Sequence, residues 1–278
     1  MAKIMVLGTT SSSGKTTLVT ALCRAYKNRG INTAPFKSQN MSSNAFNTPA
    51  GLIMSNAQAI QAKASKIEPT TDMNPILLIP SSDMGSDVIL NGKSIGHMRA
   101  AKYFKYKKEL KPKIMESFNK LEKAYDLVII EGAGSPAEIN LRENDIVNMG
   151  LAQMVDAPCI LVGDIDRGGL FAQLYGTVKL LEKAEQKRIK GMIINKFRGD
   201  LNLLKPGIKM IEEKLGIPVL GVIPYTKIEL ADEDSIIDYK KDCNINEQTE
   251  IERDKEIEKL AKIAEENLDL DLIFRMAK

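Results

Sequence analysis

The chain has 278 residues, of which 44% are hydrophobic and 27% are charged, a composition typical of a globular protein that buries a full core. Lys and Arg total 39 and Asp and Glu total 36, so the net charge of +3 is too balanced to favour nucleic acid or a membrane surface as a partner. One histidine excludes a His-rich metal site, and three widely spaced cysteines indicate free thiols in a cytoplasmic protein. No apolar run approaches the roughly 18 residues of a membrane span, and no signal peptide is expected ahead of the strand-like run at residue 3.

Short β-rich runs alternate with amphipathic helical segments along the first 224 residues. This pattern predicts an α/β fold with a largely parallel, doubly wound sheet and helices on both faces. Strands are predicted at residues 3–7, 33–36, 127–130, 158–163, 189–194 and 219–222. Helices are predicted at residues 16–29, 54–66, 99–123, 144–154, 170–183 and 203–215. A hairpin of residues 76–79 and 88–90 interrupts the alternation.

The C-terminal part changes in character. Residues 229–258 carry twelve acidic side chains and few large apolar ones, which is typical of a solvated linker. A last amphipathic helix follows, with one apolar face formed by Ile257, Leu260, Ala261, Ala264 and Leu268. We therefore predict a main domain at residues 1–228, a charged linker at 229–256 and a C-terminal helix at 257–278.

A phosphate-binding loop stands between the first predicted strand and the first predicted helix, in the run Gly8-Thr9-Thr10-Ser11-Ser12-Ser13-Gly14-Lys15-Thr16-Thr17. Glycine lets the backbone N–H groups turn toward phosphate oxygens, and the helix N-terminus adds positive potential. Lys15 would neutralise the β- and γ-phosphates, and the Thr16 hydroxyl would bind Mg²⁺. Five residues rather than the usual four separate Gly8 from Gly14. The predicted nucleotide-binding residues here are Gly8, Thr10, Ser12, Ser13, Gly14, Lys15, Thr16 and Thr17.

Two further strand ends carry polar side chains. Glu131 follows the strand at residues 127–130, which places a carboxylate beside the phosphates, where it would complete the Mg²⁺ shell. The alternative is an exposed Glu in an ordinary strand-terminal turn. Asn195 ends another strand, and its amide would bond the edge of a purine base; Arg198 stands where a guanine-selective motif has Asp, which favours adenine. A plain strand end is the alternative for Asn195.

Several sequence strings at these strand ends resemble a known family. The phosphate loop with five residues between its glycines, the Glu131-Gly132-Ala133-Gly134 string and Ala34-Pro35-Phe36-Lys37 look like the dethiobiotin synthetase-type P-loop superfamily. Five longer strings within residues 3–235 resemble more closely the synthetase half of the cobyric acid synthase family. The strings are Phe36-Lys37-Ser38-Gln39-Asn40-Met41, Asn74-Pro75-Ile76-Leu77-Leu78, Glu131-Gly132-Ala133-Gly134-Ser135-Pro136-Ala137-Glu138-Ile139-Asn140-Leu141, Val162-Gly163-Asp164-Ile165-Asp166-Arg167-Gly168-Gly169 and Ile194-Asn195-Lys196-Phe197-Arg198-Gly199-Asp200.

The resemblance implies a ligase of cobalamin biosynthesis that uses ATP and Mg²⁺ to amidate peripheral carboxylates of a corrinoid. In that family, adenosylcobyrinic acid a,c-diamide becomes adenosylcobyric acid through acyl phosphates that ammonia attacks. It also implies catalytic roles for Lys15, Lys37 and Glu131, and a homodimer, the common state of related synthetases. The residues expected to face the corrinoid are Gln39, Asn40, Ser42, Asn44, Ser82, Asp83, Glu138 and Asn140. For each of them taken alone, a role in a turn or a helix cap is favoured instead, since Asn, Asp and Ser are common at such positions.

The chain departs from the family in its source of ammonia. Full-length members continue into a glutamine amidotransferase domain, whose Cys nucleophile needs a histidine as base. The only histidine here, His97, lies upstream in the hairpin region, and Cys23 and Cys159 fall inside a helix and a buried strand. We therefore expect ammonia to come from solution or from a separate glutaminase subunit.

Two other functions compete with the ligase. One is a regulatory or partitioning ATPase, a class that usually has a second lysine early in the phosphate loop, where this chain has Thr9, Thr10 and Ser11. The other is an inactive ATP-binding remnant. The basic stretch at residues 102–113 also contains aromatic residues, but acidic residues on the same helix favour a solvated face over a nucleic-acid site.

Overall fold

The computed structural model describes residues 1–82, 85–227 and 250–278, and only the backbone of Ser82. Within these ranges the strands are β1 (Ala2–Gly8), β2 (Thr33–Phe36), β3 (Gln39–Met41), β4 (Ala45–Asn47), β5 (Ile53–Ser55), β6 (Ile76–Ser82), β7 (Gly85–Leu90), β8 (Lys93–Arg99), β9 (Leu127–Glu131), β10 (Cys159–Asp164), β11 (Ile189–Phe197) and β12 (Val219–Pro224). The α-helices are α1 (Lys15–Asn28), α2 (Asn56–Ala64), α3 (Ala100–Ala124), α4 (Met149–Met154), α5 (Leu170–Leu180), α6 (Lys183–Gln186), α7 (Leu201–Leu215), α8 (Glu250–Asn267) and α9 (Leu270–Ala277).

The central sheet has six strands in the order β12-β11-β10-β1-β9-β2, and every neighbouring pair is parallel. Its strands are buried on both faces, which explains their near-continuous apolar sequences. In β1, Ile4 and Val6 join one apolar cluster, whereas Met5 and Leu7 join the other. The first cluster includes side chains of α1, α8 and α9, and the second includes side chains of α3, α5 and α7. The predicted doubly wound α/β fold is therefore confirmed.

A second, four-stranded sheet has the order β3-β6-β7-β8. The predicted hairpin at residues 76–79 and 88–90 is confirmed as the antiparallel pair β6 and β7, which β8 extends on one side. On the other side β3 pairs with β6 in parallel, with Gln39 opposite Ile76. The small sheet therefore begins three residues after β2 ends, directly beside the carboxyl edge of the central sheet.

Two predicted helices begin later than the sequence indicates. Residues 54 and 55 pair in β5 with β4, so α2 begins at Asn56, and the Ser55 hydroxyl accepts a hydrogen bond from the N–H of Ala57 as its N-cap. The predicted helix at 144–154 is only half helical, because the Asp145 carboxylate accepts hydrogen bonds from the N–H groups of Val147, Asn148 and Gly150. These bonds favour a turn over a helix, and α4 begins only at Met149.

The C-terminal helix begins earlier than predicted, at Glu250, inside the segment expected to be linker. Two acidic residues of this helix are partners of Arg24, a fully buried residue of α1. The Arg24 guanidinium donates hydrogen bonds to Asp254 at 2.5 Å and to Glu258 at 2.9 Å. Residues 228–249 lie outside the described ranges. The predicted division into domain and linker stays a prediction, but residues 250–256 fold against α1. Within the described part of the chain, no helix is long and apolar enough to cross a membrane.

Candidate functional site

The phosphate loop has the predicted position between β1 and α1, and its glycines are sterically required. Gly14 has a φ of +94°, and a Cβ built on it would lie 2.1 Å from Nδ2 of Asn195. A Cβ on Gly8 would lie 2.3 Å from Oγ of Ser13. The Ser13 hydroxyl is buried and has no hydrogen-bond partner among the described residues. An anion seated in the loop would supply an acceptor for that hydroxyl.

Lys15 lies across the mouth of the loop and is only 6% exposed. Its Nζ donates hydrogen bonds to the carbonyl oxygens of Thr10 and Gly134, each at 3.1 Å. The ammonium thus spans from the phosphate loop to the turn that follows β9. Phosphate oxygens arriving in the loop could replace these neutral acceptors with charged ones, which form stronger hydrogen bonds.

Side chains at the ends of β10 and β11 support the phosphate loop through hydrogen bonds. The amide of Asn195 donates to the carbonyl of Ser13 at 2.9 Å and accepts from the N–H of Lys196. Nζ of Lys196 donates to the carbonyl of Ser12 at 2.8 Å and to Oδ2 of Asp164 at 2.9 Å. Asn195 therefore positions the phosphate loop, a role that the sequence did not indicate, and its predicted contact with a purine base stays a prediction.

Glu131 is the centre of a buried polar cluster and is 1% exposed, so the alternative of an exposed turn residue is wrong. Its Oε1 accepts hydrogen bonds from Oγ1 of Thr16 at 2.7 Å and from Nζ of Lys37 at 2.9 Å. Its Oε2 accepts from Nε2 of Gln61 at 2.5 Å. Three of the predicted site residues, Thr16, Lys37 and Glu131, are therefore in direct contact.

The donor set at this point fits Mg²⁺. The Thr16 hydroxyl and the Glu131 carboxylate are adjacent oxygen ligands beside the phosphate loop, and Mg²⁺ prefers such ligands while keeping several sites for phosphate and water. Among the described residues, no group of three or more His, Cys, Asp or Glu side chains is placed to hold a metal ion. A cation bound by these two oxygens would take its other ligands from the nucleotide and from water.

A chain of buried amides leads away from Glu131, and sequence reasoning missed it. Gln61 accepts a hydrogen bond from Gln58 at 3.3 Å, and Gln58 accepts one from Nδ2 of Asn40 at 3.0 Å. Asn40 also donates to Oγ of Ser55 at 2.7 Å. Gln58 and Gln61 are both 0% exposed. The available signal was two glutamines three residues apart in a helix of small apolar residues, a spacing that places both on one face.

The turn after β9 has its own support in Asn148. The amide oxygen of Asn148 accepts from the N–H of Ala133 at 3.0 Å, and its Nδ2 donates to the carbonyls of Ala133 and Ser135. This bracing keeps the Gly134 carbonyl within reach of Lys15. The glycine-rich string after Glu131 is thus held by a residue that precedes α4.

A cavity of about 1060 Å³ joins the phosphate loop to the expected substrate residues. Ser12, Gly14, Lys15, Thr16, Thr17, Lys37, Glu131 and Asn195 line it, together with Gln39, Asn40, Ser42 and Asn44. Gln39 accepts a hydrogen bond from the Tyr103 hydroxyl at 2.7 Å, and burial raises the pKa of Tyr103, so this donor stays protonated.

Glu138 and Asn140, two more residues of the expected corrinoid-facing set, do not line this cavity. Both residues are exposed, and their predicted contact with the corrinoid stays a prediction. Asn140 lies in the 3-10 helix Ile139–Asn144, and Glu138 directly precedes that helix. Asp83 and the Ser82 side chain fall outside the described residues, and their predicted roles stay predictions.

Comparison with known proteins shows the family of the chain. Residues 4–236 match the family model described as CobQ/CobB/MinD/ParA nucleotide binding domain. The chain is 60% identical over 241 residues to a cobyric acid synthase of Lachnoclostridium phytofermentans, covering 85% of this chain and 47% of that protein. It is 55% identical over 244 residues to a cobyric acid synthase of Clostridium acetobutylicum, covering 88% of this chain and 50% of that protein.

Among solved structures, the chain is similar to the signal recognition particle receptor FtsY from Elizabethkingia anophelis, with a TM-score of 0.45 and 18% identity over 81% of this chain and 59% of that one. The chain spans about half the length of the curated relatives it matches. The family match covers the phosphate loop, Lys37, Glu131 and Asn195 alike. The chain belongs to the CobQ/CobB/MinD/ParA nucleotide binding domain family.

Proposed function

We propose that this chain amidates peripheral carboxylates of a corrinoid at the expense of ATP, in cobalamin biosynthesis, converting adenosylcobyrinic acid a,c-diamide to adenosylcobyric acid. The observation that carries the proposal is the single cavity in which the phosphate loop, Lys37 and Glu131 face Gln39, Asn40, Ser42 and Asn44. Relatives that are 55–60% identical to the chain over the aligned residues are named cobyric acid synthases, which supports the same assignment.

The chemistry requires two steps. A substrate carboxylate oxygen attacks the γ-phosphorus of ATP, the bond from that phosphorus to the β-bridging oxygen breaks, and ADP leaves. Ammonia then attacks the acyl carbon, inorganic phosphate leaves, and the nitrogen loses a proton to give the amide. The first step needs alignment and charge stabilisation more than a covalent protein group, because the charge is spread over the transferred phosphoryl oxygens.

Two lysines fit these needs. Lys15 is poised at the loop mouth, where its donors would turn from the carbonyls of Thr10 and Gly134 to the β- and γ-phosphates. Lys37 is buried at the same edge, is oriented by Glu131, and lines the same cavity as the phosphate loop and Asn40. We assign Lys15 to the phosphates and Lys37 to the oxygens that bridge nucleotide and substrate carboxylate.

Thr16 and Glu131 would hold the Mg²⁺ ion, Thr16 through its hydroxyl and Glu131 directly or through water. When bound, Mg²⁺ supplies positive charge to the phosphate oxygens. The residues of the chain do the rest: Gln61 and Lys37 fix the carboxylate of Glu131, while Asn195 and Lys196 fix the loop.

Ammonia is proposed to come from solution or from a separate glutaminase subunit. Cys23 and Cys159 are buried free thiols, and burial raises the pKa of each to about 12, which does not suit a nucleophile. A cytoplasmic location and a homodimer are the further expectations that accompany this function.

Release of ADP tests the proposal against its two competitors. We expect the purified chain, given ATP and Mg²⁺, to release ADP in repeated turnovers only when adenosylcobyrinic acid a,c-diamide and ammonium are both present. The Lys15→Ala variant should lose this activity, and Lys27→Ala, at the far end of the same helix, should keep it. ADP release stimulated by a polymer or a membrane instead would favour a partitioning ATPase, and no release under any condition would favour an inactive remnant.

A further inference from the structure

Helix α8 lines the same cavity as the phosphate loop, although it follows the central sheet in the chain. Leu260, Ile263 and Ala264 contribute its cavity-facing side chains. Leu260 and Ala264 are buried, at 5% and 1% exposure, and are one helical turn apart, with the half-buried Ile263 beside them. The phosphate chemistry proposed above uses none of these three apolar residues.

Two other elements complete the compartment that α8 faces. Thr17, the last residue of the phosphate-loop run, and Ala21 lie one turn apart on α1. Ile223 and Pro224 come from the end of β12, at the carboxyl edge of the sheet. The compartment therefore starts where the phosphate loop ends and is lined mostly by apolar side chains.

Helix α8 is held firmly against this compartment at two points. Toward its N-terminal end, the buried guanidinium of Arg24 bonds Asp254, Glu258 and the carbonyl of Ala64. At its C-terminal end, the N–H of Asp269 donates to the carbonyl of Leu220 at 3.1 Å, and a Cβ on Gly221 would lie 2.0 Å from the carbonyl oxygen of Asn267. Such attachment makes α8 a fixed wall of the cavity.

The position and polarity of the compartment suit a nucleotide base. The phosphates of a nucleotide bind at the N-terminus of a helix such as α1, and the rest of the ligand occupies the crevice outside the carboxyl ends of the strands. A planar base is the part of the nucleotide that gains from apolar surroundings. Because the compartment is continuous with the phosphate loop, the base can reach it without leaving the cavity.

We propose that helix α8 forms one wall of the compartment for the nucleotide base, with Ile263, Leu260 and Ala264 in contact with the base or ribose. This inference rests on the proposed function for the use of ATP, but it concerns binding alone. It assigns a ligand-binding role to the C-terminal helix, for which the sequence predicted no function.

Binding of two ligands to the complete chain tests the inference. Isothermal titration calorimetry with Mg²⁺ compares ATP with inorganic tripolyphosphate, which occupies the phosphate loop but has no base. The variant is Ile263→Asn, and the matched control is Ile251→Asn, the same change at a 67% exposed site on the same helix. We expect I263N to weaken ATP binding about tenfold, the effect of removing one apolar contact of this size, and to leave tripolyphosphate binding unchanged. I251N should bind both ligands like the wild type.

Unchanged ATP affinity in I263N, or an equal loss of both ligands with the helical circular dichroism intact, would overturn the inference. If I263N loses its circular dichroism signal, Ile263→Val replaces it, with an expected loss of about twofold for ATP alone. A wild-type chain that binds neither ligand overturns the nucleotide site itself. A chain that binds ATP as described but fails to amidate a corrinoid overturns the proposed function and leaves the role of α8 standing.

Discussion

Nζ of Lys37 donates a hydrogen bond to Oε1 of Glu131 at 2.9 Å, and the two side chains are 8% and 0% exposed. The contact follows from the sheet, because β2 and β9 are parallel neighbours with Phe36 opposite Ile130, so both strands end at the same edge. A buried pair of opposite charges adds little stability in itself. Its position beside Thr16 and the phosphate loop is better explained by phosphoryl chemistry.

Removing one member of this pair should cost more than removing both. In Lys37→Met the carboxylate of Glu131 stays buried without its cation, so we expect the free energy of unfolding to fall by about 3 kcal/mol. The double variant K37M/E131Q should regain part of that loss, because its neutral amide needs no counter-charge. Urea denaturation of the two single variants and the double variant measures the coupling. Strictly additive losses would mean that the two side chains do not act as a pair.

The buried amide chain gives a second expectation. Gln61→Leu removes the donor to Oε2 of Glu131 and leaves Nε2 of Gln58 without its acceptor, so unfolding should become easier by about 1–3 kcal/mol. The Mg²⁺ concentration needed for half-maximal ATP binding should rise, because Glu131 loses its orientation. Gln153→Leu, at an exposed site on α4, is the control and should stay within about 0.5 kcal/mol of the wild type. A Mg²⁺ requirement unchanged in Q61L would show that Gln61 serves the fold alone.

The parts of the site that the sequence predicted are those set by local pattern and sheet geometry. The phosphate loop is recognisable because its glycines and Lys15 directly follow a strand, and Glu131 is recognisable because parallel strands end at one edge. The location of Lys37 in the site depended on resemblance, since a lysine at a strand end is usually solvated.

The parts that were missed depend on contacts between distant segments. The acidic residues Asp254 and Glu258 contributed to the prediction of a solvated linker. In the structure each accepts a hydrogen bond from Arg24, which lies more than two hundred residues earlier in the chain. Gln58 and Gln61 have no local reason to be buried, because their partners lie on β3 and β9. Met54 fits a helical pattern, but pairing with Phe46 in β4 overrides that preference.

The contact between Asp254 and Arg24 predicts a pH dependence. The hydrogen bond from the Arg24 guanidinium lowers the pKa of Asp254 below its ordinary value. A lowered pKa in the folded state contributes stability above the unfolded pKa of about 3.9, and this stability disappears as the pH falls through the folded pKa. We expect Asp254→Asn to be less stable than the wild type at pH 7 by about 1 kcal/mol, because the Asp254 side chain is half-exposed.

That difference should shrink as the pH falls below about 4, where the wild-type carboxylate takes up a proton. Thermal unfolding of both proteins across this range measures it. Glu265→Gln, at an exposed position on the same helix, should differ little from the wild type at either end of the range. A difference for D254N that persists undiminished in acid would exclude the ion pair as its source.

The cysteines supply a test of burial. Burial raises the pKa of the Cys23 and Cys159 thiols to about 12, so almost no thiolate is present at pH 8. In a Cys243→Ser variant, which retains only these two thiols, a disulfide reagent such as Ellman's reagent should react negligibly with the native protein and rapidly with the urea-unfolded protein. Fast labelling of the native variant would contradict the positions of these residues inside α1 and β10.

The most direct test of the ligase is the mass of the corrinoid product. The purified chain is incubated with adenosylcobyrinic acid a,c-diamide, ATP, Mg²⁺ and ammonium, with glutamine replacing ammonium in a parallel reaction and Lys15→Ala as the inactive control. We predict that mass spectrometry will find products in which successive hydroxyl groups of carboxylic acids are replaced by amino groups, with ammonium but not with glutamine alone. A corrinoid of unchanged mass, under conditions where the chain binds ATP, would contradict the assignment.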